Sequence, residues 1–296
     1  MKIILVLLIK IVKAPFIWLW GVLMAILKLT PLRDFLIEEP EDTPILDTVQ
    51  KATEEPKEFF FALLEHLNDL RKNLVRAIIG LTITTIISFY FVTDILDWLS
   101  LPIGGIEQLQ AIEVTEPIGV VMRVSLMAGF SMALPYMTFE LLRFIAPGIS
   151  QRARLLGLFG IPFVSLFFAA GMAFAYYVML PAALPVLLNF MGIPTLPRPS
   201  SYIRFVSGIM FWIGVSFEFP LVTYILSAMG ILPAKALKNN WRLAFILLAI
   251  LAAMITPTVD PINMLIVLLP LWVLYGLSIL MAYVGQGRKG KQAETT

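Results

Sequence analysis

Few side chains in this sequence can do chemistry, and their placement narrows what that chemistry is. Glu218 stands inside the apolar run 203–227, where an ionised carboxylate costs on the order of 2.5–3.5 kcal/mol on insertion scales. Such a charge has to meet a partner, water or a groove. It contacts a polar group on another membrane helix, forms part of a wet concavity, or is satisfied by an internal hydrogen bond. Pro220, two residues on, removes a backbone hydrogen bond and frees a carbonyl at the same depth. Glu65 and Asp69 lie four residues apart, so they share a helix face on which like charges repel unless a cation arrives. The alternative is a solvated face with Arg71 and Lys72 already nearby. Asp260, in the segment TPTVDP, reads as a turn-former or cap. The chain has no Cys and one His, His66. Disulfides, iron–sulfur clusters and thiol catalysis are therefore excluded, a His-based metal site is not expected, and His66 reads as a packing or hydrogen-bonding residue. Nothing sets a nucleophile, a base and oxyanion donors together, and phosphate-binding loops are missing, so neither enzymatic activity nor a cofactor or metal is expected.

The elements that position these residues follow from hydropathy. Of 296 residues, 59% are hydrophobic and 14% charged, against about 25% charged in a soluble domain, and the mean hydropathy is +0.88. A water-soluble fold cannot hide that much apolar surface. The apolar residues fall into continuous runs separated by short polar loops, most of them long enough to cross a ~30 Å hydrocarbon core as helix. Barrel strands would alternate instead. The fold class is therefore all-α: a polytopic membrane protein with six transmembrane helices over 74–92, 118–142, 155–179, 203–227, 243–255 and 264–284. The fifth is short, about 20 Å of helix, so it must borrow flanking residues, thin the bilayer or be sheltered by protein. Just before the first span, Phe60, Leu63, Leu64, Leu67, Leu70 and Leu74 recur at helical spacing with Glu65, Asp69 and Lys72 on the other face, which predicts a helix lying on the membrane surface. Pro135, Pro162 and Pro270 are expected to kink their spans. Trp98, Tyr202 and Trp241 fall near interfaces as anchors.

Charge in the loops sets the orientation. One side carries Arg71, Lys72, Arg76, Arg143, Arg152, Arg154, Lys235, Lys238, Arg242, Arg288, Lys289 and Lys291, and the other only Arg198, Arg204 and, just inside the second span, Arg123. By the positive-inside rule both ends of the six-helix core face the cytoplasm. Residues 1–37 form a hydrophobic, membrane-associated segment whose Lys2, Lys10, Lys13 and Lys28 fall within an arc of about 80° on a helix, as in an amphipathic helix lying in the interface. Spanning is the alternative. Residues 38–58, with eight acids and three prolines, read as an acidic disordered linker. The core is 59–285, and 286–296 is a cytoplasmic tail. The net charge of +2 decides little, and no internal repeat is evident.

Several loop segments, in order along 59–284, resemble the TatC family. They are His66-Leu67-Asn68-Asp69-Leu70-Arg71-Lys72; Glu116-Pro117-Ile118 with Arg123-Val124-Ser125; Ala133-Leu134-Pro135-Tyr136; Phe144-Ile145-Ala146-Pro147-Gly148-Ile149; Gly171 to Tyr177 with Pro181; Gly214 to Pro220; and Thr256 to Pro261. No one segment persuades, but their collinearity does. The resemblance implies the core receptor of the twin-arginine translocation system in a bacterial cytoplasmic (inner) membrane. Such a receptor binds signal peptides with paired arginines on its cytoplasmic face. It assembles, as a homo-oligomer within a larger complex, with TatA-like and TatB-like single-span partners to export folded proteins on the proton-motive force. Nucleic acid has no part in that system.

On that resemblance, Glu65, Asp69, Arg71, Glu140, Phe144 and Pro147 form the signal-peptide site, Glu218, Pro220 and Met264 belong to the partner-binding or polar intramembrane set, and Pro135 and Asp260 are structural. The chain departs from the family in places. Ala153 stands where the loop glutamate is usual, nine residues after Phe144, and its neighbours Arg152 and Arg154 would repel an arginine pair. Glu140, four residues before Phe144 and on the same helical face, stands where glutamine is common and is expected, with Asp69 or Glu65, to take over the missing carboxylate's role. Met264 and Gly276 stand where the family often has Gln and Glu on the partner-binding face, so partner specificity is expected to differ. Two other readings are a divergent TatC paralogue with restricted substrates or a scaffold role, and a proton-coupled small-solute transporter with Glu218 as its site.

Overall fold

The computed structural model describes residues 56–148, 151–189, 195–228, 230–256 and 261–293. The segment 1–37, nearly all of the acidic linker and Asp260 lie outside the described residues. Among those that are described, the regular structure is helical: α1 Pro56–Tyr90, α2 Val92–Ser100, α3 Glu116–Ile145, α4 Gln151–Phe174, α5 Leu180–Leu188, α6 Pro199–Phe217, α7 Phe219–Ala228, α8 Ala234–Asn239, α9 Trp241–Ile255 and α10 Pro261–Ala293. A π-helical turn over Ala175–Met179 joins α4 to α5. Five stretches are long and apolar enough to cross a membrane: His66–Tyr90, Glu116–Gly148, Gly157–Leu188, Pro199–Ala228 and Met264–Gly287. The sixth, α9, has 15 residues, about 22 Å against a ~30 Å core.

The surface helix expected ahead of the first span is not a separate element. Between Lys57 and Ile79 the sequence has no Gly or Pro to break the helix, and the two segments fuse into one 35-residue helix. At about 52 Å, α1 exceeds the hydrocarbon thickness by some 20 Å, so its amino-terminal turns, with their charged residues, extend beyond the apolar core.

The chain divides into two compact units. One comprises the part of α1 up to Thr82 together with Met132–Pro162; the other comprises Ile83–Ser131 and the chain from Phe163 onward. In the first unit Phe139 and Ile161 are buried, with Tyr136, Leu142 and Leu158 packed on them.

The second unit holds a larger core, in which Val124, Leu180, Val206, Ile209, Ile213 and Leu271 are almost completely enclosed. The carboxyl end of α2 is closed there by the chain's own groups. A helix leaves its last four carbonyls unbonded. Here the Ser100 hydroxyl donates to Asp97 O at 2.9 Å, the Tyr176 phenol to Trp98 O at 2.7 Å, the Tyr202 phenol to Leu99 O at 2.7 Å, and the Gly105 amide to Ser100 O at 3.0 Å. That last bond needs the chain to reverse through Gly104 and Gly105, at φ 98° and 115°, a region open mainly to glycine. The Trp98 ring stacks on Tyr176 with centroids 4.0 Å apart.

At the crossing of α4 and α6 the backbones touch. A Cβ placed on Gly171 would lie 2.8 Å from Gly214 Cα and 2.9 Å from Ile213 O. Small residues at such crossings let membrane helices approach closely. Because the obstacle is backbone, it cannot rotate aside. Gly171→Val is therefore expected to destabilise the folded protein by about 1–3 kcal/mol, read as a lowered thermal unfolding midpoint of the detergent-solubilised chain. An unchanged midpoint would show that this contact is not part of the packing.

Candidate functional site

In the first unit, α1 and the carboxyl half of α3 run antiparallel and meet at three levels. The Gly80 position abuts the Tyr136 ring, which a Cβ would approach to 2.5 Å. Arg76 Nη1 lies 3.8 Å from Glu140 Oε2. At the loop end, the His66 imidazole stacks on the Phe144 ring with centroids 4.5 Å apart. His66 is thus a packing residue, as its sequence position led us to expect, and its partner is the loop phenylalanine.

Glu140 is the unusual group. It is only 3% exposed, and its Oε2 has no hydrogen-bond partner. Arg76 stands beyond hydrogen-bond range of it and spends Nη1 on Asn73 Oδ1, 3.2 Å away. The Arg76 side chain is about two-fifths exposed. A buried carboxylate with an unsatisfied oxygen and a loosely held cation over it keeps acceptor capacity that the described residues do not use.

The other predicted residues of this region are dispersed. Asp69 is well exposed and pairs with Lys72 Nζ at 2.9 Å, Arg71 is exposed, and no ion pair joins Asp69 to Glu140 among the described residues. Glu65 lies on α1. In the loop, a single 3-10 turn over Ala146–Gly148 buries Ala146 and presents Pro147 to the exterior, while Phe144 is half-buried. Arg154 is fully enclosed at 0% exposure. It therefore does not stand at the loop surface to repel an incoming cation, contrary to the expectation from its sequence position. Sequence reasoning missed the Arg76–Glu140 pairing. The available signal was that Arg76 lies two turns beyond Asp69 on α1, the same face on which His66 meets α3.

In the second unit, the helix that carries Glu218 is interrupted at that residue. Pro220 has no amide hydrogen to continue the ladder; Glu218 N bonds to Val215 O at 3.1 Å, and Val222 N resumes on Glu218 O at 2.9 Å. The expected local break is therefore present, with α6 ending at Phe217 and α7 beginning at Phe219. The Glu218 carboxylate lies beside the Phe168 backbone; both oxygens are shielded, and neither has a hydrogen-bond partner among the described residues. Pro220 is buried. Met264 packs against the large core at the start of the last span, and Pro135 is buried within a continuous α3. Among the described residues no group of His, Asp and Glu is arranged to hold a metal ion.

Comparison with known proteins identifies the family. Residues 65–270 match the family described as Sec-independent protein translocase protein (TatC). The chain is 32% identical over 234 residues to the Sec-independent protein translocase protein TatC of Deinococcus radiodurans, covering 75% of this chain and 86% of that one. It is 32% identical to the TatC of Aquifex aeolicus, covering 77% and 97%. Among solved structures it resembles the crystal structure of twin arginine translocase receptor TatC, with a TM-score of 0.65, 30% identity, and coverage of 74% of this chain and 99% of that one. The chain belongs to the TatC family of Sec-independent protein translocase subunits.

Proposed function

We propose that this translocase core subunit receives twin-arginine signal peptides at its cytoplasmic face through Glu140, with Phe144 and Pro147 forming the adjoining loop surface and Glu65, Asp69 and Arg71 the outer contact on α1. The observation that carries this reading is the buried Glu140 carboxylate, one oxygen unbonded and Arg76 3.8 Å away. An arginine of the peptide bonds Glu140 in the fork geometry that guanidinium offers, and the exposed Arg76 swings outward. Asp69, already near the surface, meets the second arginine by exchanging Lys72. The enclosure of Arg154 supports this, because it takes one of the two like charges away from the loop.

Glu218 serves a second task in the same reading. A shielded carboxylate without an internal partner, at a break in a membrane helix, is a contact for a polar group on a TatA-like or TatB-like single-span partner. The break at Pro220 opens the backbone beside it. Met264, packed against the core at the start of the last span, belongs to the same partner-binding set.

The replacement of the loop glutamate by Ala153 keeps a second reading open, that of a paralogue with restricted cargo. It is separated from the first by asking whether peptides bind at all.

Two outcomes are expected. Glu140→Gln removes a charge-assisted hydrogen bond worth about 1.5–3 kcal/mol, so crosslinking of a twin-arginine peptide to the Phe144–Pro147 loop falls roughly 10-fold or more. Unchanged crosslinking would rule out the acceptor role. Glu218→Leu leaves the thermal midpoint of the isolated chain unchanged or raises it, since no internal bond is lost, while co-purification of the single-span partner drops several-fold. A lowered midpoint with partner binding intact would assign Glu218 to internal structure instead.

A further inference from the structure

In the second unit a cavity of about 460 Å³ lies between the amino ends of α3 and α6, lined by three arginines, Arg123, Arg198 and Arg204, against two acids, Glu113 and Glu116. One arginine takes both acids. Arg198 Nε donates to Glu116 Oε1 at 2.8 Å, its Nη2 reaches the same oxygen, and Nη2 also donates to Glu113 Oε1 at 3.1 Å. Glu116 is only 6% exposed, and its other oxygen is shielded as well. Arg123 and Arg204 are exposed, and among the described residues neither forms an ion pair. The charge left to face a ligand is therefore mainly that of these two guanidinium groups.

Two like charges that line one cavity repel each other. Both also belong to stretches long and apolar enough to cross a membrane, Glu116–Gly148 and Pro199–Ala228, where an ionised side chain has to meet a partner or water. An anion between them removes the repulsion and is that partner. The hydroxyl residues Thr115, Ser200 and Ser201 line the same cavity and add donors. A guanidinium fork fits carboxylate and phosphate alike, but a carboxylate has only two oxygens to share among these groups. A phosphate-type oxyanion has at least three strong acceptor oxygens, enough for two forks and hydroxyls at once. Gly119 keeps the wall open, since nothing lies within 4 Å of a Cβ built there.

We propose that this cavity is a binding site for a phosphate-type oxyanion, free or as a phosphate ester, held by Arg123 and Arg204 with the hydroxyls of Thr115, Ser200 and Ser201 as further donors. Arg198 does not bind the anion. It is a positioning residue, which ties up the two acids that would otherwise claim Arg123 and Arg204 or repel the ligand. The site draws nothing from the reading of Glu140 or Glu218.

The test is isothermal titration calorimetry of the full chain in neutral detergent with inorganic phosphate, glycerol 3-phosphate, dihexanoyl-phosphatidic acid or acetate. A phosphate-bearing probe is expected to bind saturably, one per chain and at least 10-fold tighter than acetate. The double variant R123Q/R204Q is expected to weaken that binding at least 10-fold at an unchanged thermal midpoint. Gly119→Leu provides a second variant, which keeps both arginines, fills the cavity without a clash and is expected to weaken binding to a similar extent. Inorganic phosphate binding as tightly as the two esters supports the site and assigns it to the free ion; an ester binding at least 10-fold tighter supports it and assigns it to the ester. Absence of saturable binding by every phosphate probe, acetate binding as tightly as phosphate, or undiminished binding by both folded variants overturns the proposal.

Discussion

Hydrocarbon offers a polypeptide no hydrogen bonds, and nearly every feature of this molecule answers that constraint. Helices satisfy their own backbones along their length, but their ends and breaks do not. The carboxyl end of α2 shows the solution in full, with two phenols, a hydroxyl and a glycine amide on its last four carbonyls. Ser207, Ser216, Thr256 and Ser278 likewise turn their hydroxyls back onto carbonyls four residues earlier. Against that background of satisfied polar groups, the exceptions stand out. Glu140 Oε2 and both Glu218 carboxylate oxygens have no hydrogen-bond partner among the described residues.

An unbonded buried acceptor costs about 1–3 kcal/mol, more when charged. Two such carboxylates, Glu140 and Glu218, fall where the proposed function has the subunit recruit something from outside itself: one beside the first cytoplasmic loop, one at a helix break inside the membrane. Glu140 is further distinguished by Arg76, which neutralises it at a distance without satisfying it. In the proposed reading, that arrangement leaves the carboxylate's strong bond for an arriving guanidinium. An incoming lysine would bring a point charge without the fork, and so would gain less over Arg76.

Much of this was legible in the sequence. Run lengths gave the spans, because the bilayer thickness sets them, and the break at Glu218 was visible in Pro220. The short fifth helix was evident from the polar residues that bound it. The fusion of the surface helix with the first span was not read, because amphipathic periodicity does not distinguish a helix lying on the membrane from one rising out of it; only the lack of a breaker between Lys57 and Ile79 does. The enclosure of Arg154 was equally hidden, since a loop-adjacent arginine reads as exposed until the fold is seen. The Glu140–Arg76 pairing needed the antiparallel register of α1 and α3, and register between distant helices is not written in either one alone. The π-turn at Ala175–Met179 has no sequence signal that we can identify.

The most direct measurement of the central claim is export in a strain lacking its own TatC, with this chain and its own single-span partners supplied. A folded reporter is followed with an arginine-pair or a lysine-pair signal peptide. The account predicts export with the arginine pair, its loss with the lysine pair, and its loss when Glu140 is replaced by glutamine at unchanged protein level. Export that proceeds equally with the lysine pair, or that survives Glu140→Gln undiminished, would contradict it.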